Sequence, residues 1–262
     1  MISLVTIIFF SFGLIIGSFL NVVILRYHTE RSFGGRSACM SCRTTLSWYE
    51  LIPVFSFIGL RGRCKTCQTG ISVQYPLVES VTGIIFALLF LKFQDIFFLD
   101  TLAFTVNYAY YAVIFCLLIV IAAYDLKHKI IPDTLSLVLG VISFIGIFFI
   151  SPSGFYLHMP GYWELFSGVL VALPFAFLWL VSRGTWMGLG DAKLALGLGW
   201  FLGLSRALSG VVVAFWSGAI IGIILMIFSR KYGMRSEIPF APFLVLGAVI
   251  AFLFELHLFP FF

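Results

Sequence analysis

Seven apolar runs, each close to the roughly 20 residues a helix needs to cross a hydrocarbon core, constrain this chain more than any single motif. They fall at about 3 to 25, 77 to 94, 104 to 124, 134 to 151, 163 to 182, 208 to 229 and 239 to 259. A shorter run, about 190 to 204, makes an eighth, although Arg206 interrupts it and Gly197, Gly199 and Gly203 weaken a helix there. With 61% of 262 residues hydrophobic, 10% charged and a mean hydropathy of +1.11, the composition excludes a water-soluble domain. Backbone polar groups in lipid must be satisfied within the segment, which makes these runs helices. The expectation is an all-α polytopic membrane protein with about eight transmembrane helices.

Charge sets the orientation. The first run lacks a basic stretch before it and a small-residue cleavage site after Leu25, so it reads as a retained first span rather than a removable leader. Its basic flank, Arg26 and Arg31, follows the helix, which puts the amino terminus outside and residue 26 onward in the cytoplasm. Threading eight spans from there places Arg26, Arg31, Arg36, Arg43, Arg61, Arg63, Lys65, Lys127, Lys129, Arg183, Lys193, Arg230, Lys231 and Arg235 inside. Only Lys92 and Arg206 fall outside, and dropping the short sixth span would invert everything after it. The net charge of +5 is therefore a topology signal, with some attraction to anionic lipid, and requires no nucleic acid.

The expected organisation has three parts: residues 1–26 form the first span, 27–75 a polar cytoplasmic insert, and 76–262 a seven-helix membrane domain. The insert carries two CxxC pairs, Cys39 with Cys42 and Cys64 with Cys67, separated by 21 residues. That spacing resembles a four-cysteine zinc site, and one tetrahedral metal would staple an insert too small for a sizeable core. The rival reading is redox chemistry at the paired thiols. A reducing cytoplasm disfavours structural disulfides and tips the balance to zinc. Cys116, alone in an apolar span, reads as a small core residue.

The chain has eleven acids. Asp95, Asp100, Glu164 and Glu255 fall in or beside outside loops, and Glu30, Glu50 and Glu237 in cytoplasmic segments. Glu79, Asp125, Asp133 and Asp191 remain, each at the cytoplasmic end of a span. A charge at the centre of the hydrocarbon costs ~2.5–3.5 kcal/mol by the lower estimates, and an intramembrane acid is a functional-site candidate by default. Either Asp125 or Asp191 alone reads as a helix cap or a partner for a nearby Lys. Two at one depth, with Gly188 and Gly190 opening the backbone beside the second, are the equipment of an aspartic protease. Peptide hydrolysis needs a base for water and an acid for the departing amine, and two close carboxylates sharing one proton supply both. No HExxH is present and no serine has an identifiable base partner.

These residues, together with "GSFLNVVILR" (17–26), "WYELIPVFSFIGLRGRC" (48–64), "YPLVE" (75–79), "DLKHKIIPD" (125–133), "GLGDAKL" (188–194) and "IPFAPFL" (238–244), give the chain a resemblance to the type IV prepilin peptidases, bacterial inner-membrane aspartic proteases of the GxGD type. The resemblance covers nearly the whole chain. It implies cleavage of prepilin or pseudopilin precursors at the cytoplasmic face, after the glycine that ends a short basic leader. It also implies N-methylation of the new amino terminus with S-adenosylmethionine, which the twin CxxC insert favours. It makes Asp125 and Asp191 catalytic and Gly188 and Gly190 part of the GxGD motif. It leaves the methyl-donor site unassigned, with Glu79 the first acid to test, and Asp133 reads as a helix cap.

Leu189 stands where the family often has a third glycine, and "GGRSACMSC" lacks the prolines common around the first cysteine pair. Helix polarity suggests that Asp125, closing a span, holds the shared proton, whereas Asp191, opening one, is the carboxylate. Two alternatives stay open at this point: a membrane thiol oxidoreductase using the CxxC pairs, and a non-enzymatic transporter or assembly scaffold.

Overall fold

The computed structural model describes residues 2–29, 34–151, 154–228 and 238–258. Glu30, Arg31, Arg230, Lys231, Arg235 and Glu237, used above for topology and for sorting the acids, lie outside the described residues. The regular structure of the described residues is helical apart from a two-residue antiparallel pairing in which Ile150 faces Phe155 and Ser151 faces Gly154, and two isolated bridges in the insert, Ala38 with Thr45 and Arg63 with Gly70. Among the described residues, five helices are long and apolar enough to cross a membrane: α1 (Ile2–Arg26), α3 (Gln74–Leu99), α4 (Thr101–His128), α6 (Tyr162–Ser182) and α8 (Leu204–Phe228). Two shorter apolar helices, α5 (Asp133–Phe149) and α9 (Ala241–Leu253), and the fourteen-residue α7 (Leu189–Leu202), which carries Asp191 and Lys193, pack with them. A five-residue helix, α2 (Phe55–Gly59), belongs to the insert.

Boundaries differ from the hydropathy runs where polar residues interrupt a helix without ending it. Asp95, expected in or beside a loop, lies inside α3, and only Asp100 separates α3 from α4. Its carboxylate caps α4 by accepting the Leu102 and Ala103 N–H groups at 2.9 and 3.1 Å. The break after α7 is Gly203, whose φ of +75° suits glycine, and Arg206 lies in the first turn of α8.

Contacts divide the chain into two units, Met1–Leu99 and Asp100–Phe262. In the first, α1 packs on α3 through small residues: a Cβ on Gly17 would lie 2.7 Å from the Glu79 Cα. Without a hydrophobic drive between helices in lipid, such close backbone approach supplies the packing. Phe9 stacks on Phe90 at 4.8 Å between ring centroids.

In the second unit α7 is the hub, packed on α5, α6, α8 and α9. Its glycines serve this: a Cβ on Gly199 would meet the Gly168 Cα of α6 at 2.6 Å. Trp200 closes the same seam by donating its indole N–H to the Leu165 carbonyl at 3.0 Å. Phe115 of α4, Phe201 of α7 and Phe252 of α9 form a three-ring cluster, with centroids 5.3–5.6 Å apart. That cluster sets the register of the candidate acids. Asp125 follows Phe115, and Asp191 precedes Phe201, by the same ten residues, about 15 Å of helix in each case.

Candidate active site and metal centre

α4 ends at Lys129, in the left-handed region at φ +56°, whose N–H returns to the Asp125 carbonyl at 2.7 Å. The following segment carries Ile131, 9% exposed, onto the start of α7, where a Cβ on Gly190 would lie 2.9 Å from the Ile131 Cβ. Gly190 is therefore the point at which the α4–α5 connection touches α7, one residue before Asp191. Gly188, the N-cap of α7, has a φ of −75° open to any residue, and a Cβ there would meet nothing nearer than the Asp191 Oδ2 at 3.8 Å. The two motif glycines have different physical duties.

Asp125 and Asp191 are both buried, at 4% and 8% exposure, and each lies within electrostatic reach of the other. Asp191 sits in the first turn of α7, its N–H directed to the Gly188 carbonyl at 3.3 Å. The Asp125 Oδ2 accepts the backbone N–H of Ala241, the first residue of α9, at 3.2 Å. This corrects the helix-polarity argument. Although Asp125 closes α4, its carboxylate is held at the positive end of α9, so both acids occupy helix N-termini and polarity along the chain does not separate their roles. "IPFAPFL" gave no physical hint of this donor, because periodicity does not reveal which helix end packs against which side chain.

Asp133 opens α5 and pairs with Lys193 of α7 at 2.7 Å, on the side of α7 away from Asp191. The N-cap of that helix is Pro132, so Asp133 acts by cross-helix pairing rather than as the cap.

In the insert, the four sulfurs of Cys39, Cys42, Cys64 and Cys67 all lie within 4.8 Å of one another. Zn–S bonds of about 2.3 Å in a tetrahedron give S···S edges near 3.8 Å, and the Cys39 and Cys67 sulfurs are 3.7 Å apart. All are free thiols, and the four-way cluster suits one ion better than two disulfides. The geometry comes from a repeated knuckle. The Cys39 N–H donates to the Thr44 carbonyl and the Cys64 N–H to that of Thr69; Leu46 returns to Ser37 as Ile71 does to Gly62. Every partner in the second knuckle lies 25 residues after its counterpart in the first, and Arg43 and Gln68 both take a φ of +58°. Thr69 then matches Thr44. Its hydroxyl lies 3.2 Å from the Cys67 sulfur and, with the Thr69 N–H, pulls that thiol down to about 6. Thr44 likewise lowers Cys42. Such thiols are ready to ligate a cation near neutral pH. The sequence displayed this repeat in "CMSCRTT" and "CKTCQTG", yet two CxxC pairs alone do not announce it.

Glu79 is 6% exposed and faces the insert: its Oε2 accepts the Val54 N–H at 2.8 Å. Val54 has φ +62° and ψ −49°, and Phe55 donates to the Pro53 carbonyl across it at 2.6 Å. This is the rare, strained γ-turn, here at a β-branched residue that disfavours positive φ. The carboxylate pins that turn to α3.

Two family models match the chain. The Bacterial Peptidase A24 N-terminal domain matches residues 11–93, inside the first unit, and the Type IV leader peptidase family matches residues 112–227, inside the second. A prepilin leader peptidase/N-methyltransferase of Bacillus subtilis (strain 168) is 32% identical over 252 residues, covering 94% of this chain and 93% of its own. The chain belongs to the type IV leader peptidase family. Another relative of the same printed name, from Myxococcus xanthus (strain DK1622), is 36% identical over 87% of this chain, which spans 65% of that protein's length. One from Xanthomonas campestris pv. campestris is 30% identical over 92% of this chain and 88% of its own. No solved structure matches. Membership in the type IV leader peptidase family sets aside the thiol oxidoreductase and the transporter or scaffold. Both aspartates and both motif glycines fall within the residues that the leader peptidase model matches.

Proposed function

We propose that this chain is an aspartic endopeptidase that removes the leader from prepilin or pseudopilin precursors, after glycine, at the cytoplasmic face of a bacterial inner membrane. It then N-methylates the new amino terminus, with S-adenosylmethionine as methyl-donating co-substrate. The observation that carries the reading is that Asp125 and Asp191, two buried acids at helix ends within the family's matched region, lie within electrostatic reach of each other.

With one proton between them, the ionised acid takes a proton from water as the water oxygen attacks the scissile carbonyl, while the protonated acid hydrogen-bonds the carbonyl oxygen. Collapse of the tetrahedral species breaks the C–N bond, and the departing amine leaves with a proton from the pair. The pair titrates as a unit.

Eight spans, with the amino terminus outside, place both acids, the insert of residues 27–75 and its cysteines on the cytoplasmic side. The division into 1–26, 27–75 and 76–262 follows the membrane topology, whereas contacts group α1 with α3. Cys39, Cys42, Cys64 and Cys67 would hold one zinc ion, which supplies a structural cross-link. No residue is assigned to methyl transfer; Glu79, the earlier candidate, has one oxygen committed to the Val54 turn.

The test is incubation of purified protein and S-adenosylmethionine with a prepilin-type peptide, followed by mass spectrometry. The expected products are a leader ending in glycine and a mature peptide carrying one extra methyl group. An intact peptide, or a cut elsewhere, contradicts the proposal.

A further inference from the structure

A groove of about 630 Å³ runs between α5 and α7, lined by Ser136, Val141, Phe144, Leu196 and Trp200 among others. Its walls are apolar except at one end, where Asp133 and Lys193 stand side by side, 2.7 Å apart, with side chains 70% and 41% exposed. At 100° per residue, Lys193, Leu196 and Trp200 lie about 140–200° around α7 from Asp191. The groove therefore opens on the opposite side of α7 from the acid pair. A peptide clamped between Asp125 and Asp191 does not thread it. Leu137, Val141 and Ile145, on the open side of α5, are half or more exposed, as befits a surface facing acyl chains.

We propose that this groove binds one phospholipid with a zwitterionic head group bearing a primary ammonium, of the phosphatidylethanolamine class. The acyl chain lies along Val141, Phe144 and Leu196. The ammonium faces Asp133 and the phosphate faces Lys193. Charge complementarity decides the head group. The mouth presents one cation and one anion, so a zwitterion set antiparallel to the pair satisfies both. An anionic head group gains Lys193 but meets the Asp133 carboxylate beside it. A trimethylated ammonium carries the charge without an N–H to donate, whereas a primary ammonium donates to the carboxylate oxygen that Lys193 leaves free. The inference is independent of the catalytic assignment.

The test uses the full-length protein, delipidated in detergent and re-exposed to equal amounts of phosphatidylethanolamine, phosphatidylcholine and phosphatidylglycerol, with bound lipid counted by native mass spectrometry. Wild type should retain phosphatidylethanolamine about threefold to fivefold over each competitor, the range an exposed ion pair supports. Asp133→Asn should turn the preference to phosphatidylglycerol, Lys193→Gln should abolish it, and the reversed pair D133K/K193D should restore it. Asp125→Asn should leave the lipid profile unchanged while abolishing cleavage, which separates the two readings. An identical lipid profile for wild type and Asp133→Asn would overturn the proposal. So would a photo-crosslinker at Leu137 that captures the peptide substrate in place of lipid.

Discussion

Adding a single methyl group at Gly190 tests how the acid pair is held. The new Cβ would lie 2.9 Å from the Ile131 Cβ, with Cδ1 and Cγ1 at 3.4 and 3.5 Å. Ordinary carbon contacts lie at about 3.5–4.0 Å, so the start of α7 and the Ile131 segment must separate by roughly 0.5–1 Å. Overpacking of this kind costs ~1–3 kcal/mol, offset by up to ~1 kcal/mol because alanine favours a helix over glycine. The protein should fold, with at most ~2 kcal/mol lost. Activity is less forgiving, since a displacement near 1 Å costs about 100-fold. Gly190→Ala is therefore expected to lower kcat/KM for a prepilin-type peptide by about 10- to 100-fold, or ~1.4–2.7 kcal/mol of barrier. Gly188→Ala supplies the control. Its Cβ meets the Asp191 Oδ2 at 3.8 Å and the Gly190 N at 3.9 Å, and exchanging glycine for alanine at an N-cap costs ~1 kcal/mol of helix stability or less. It should stay within about threefold of wild type. Equal damage from the two substitutions, or a Gly190→Ala enzyme within about threefold of wild type, would refute the argument that Gly190 positions α7.

Three further outcomes are expected. Purified protein should contain about one zinc per chain, because one tetrahedral site uses four thiolates; serine at both Cys39 and Cys42 should remove it and expose the insert to protease, as measured by metal analysis and limited proteolysis. Glu79→Ala leaves the Val54 N–H without its acceptor, at a cost of ~1–3 kcal/mol, and should speed hydrogen exchange in residues 48–60, whereas Glu79→Gln, which keeps an acceptor oxygen, should largely preserve protection. Reporters fused after residues 70, 130 and 186 should signal cytoplasm and those after 100, 157 and 205 the outside; an outside signal at 186 would break the eight-span topology.

What the sequence made legible follows from the range of each interaction. Among the described residues each of the eight apolar runs coincides with a helix, the short α7 that carries Asp191 included, although only five of those helices are long and apolar enough to cross a membrane. The runs misplaced ends where local hydrogen bonds decide, as at Asp95 within α3 and Asp100 capping α4. The acids and cysteines were legible because each residue type carries its own chemistry. The contacts that orient them were not. Ala241 reaches Asp125 across 116 residues of chain, and the Val54 turn requires a backbone angle that valine does not advertise. The helix-polarity argument failed for the same reason: it used the helix Asp125 belongs to, not the one its carboxylate touches. The 25-residue repeat of the knuckles was present in the sequence, but its meaning lay in threonine and backbone partners rather than in the cysteines.

The central claim is that Asp125 and Asp191 together cut the substrate. Its most direct test is the mass-spectrometric mapping of one prepilin-type peptide after incubation with wild type, Asp125→Asn and Asp191→Asn, each verified as membrane-inserted and zinc-loaded. Wild type should cut once, after glycine, and each asparagine variant should leave the peptide intact while still methylating a peptide supplied already cut. Substantial cleavage after glycine by either variant would contradict the account.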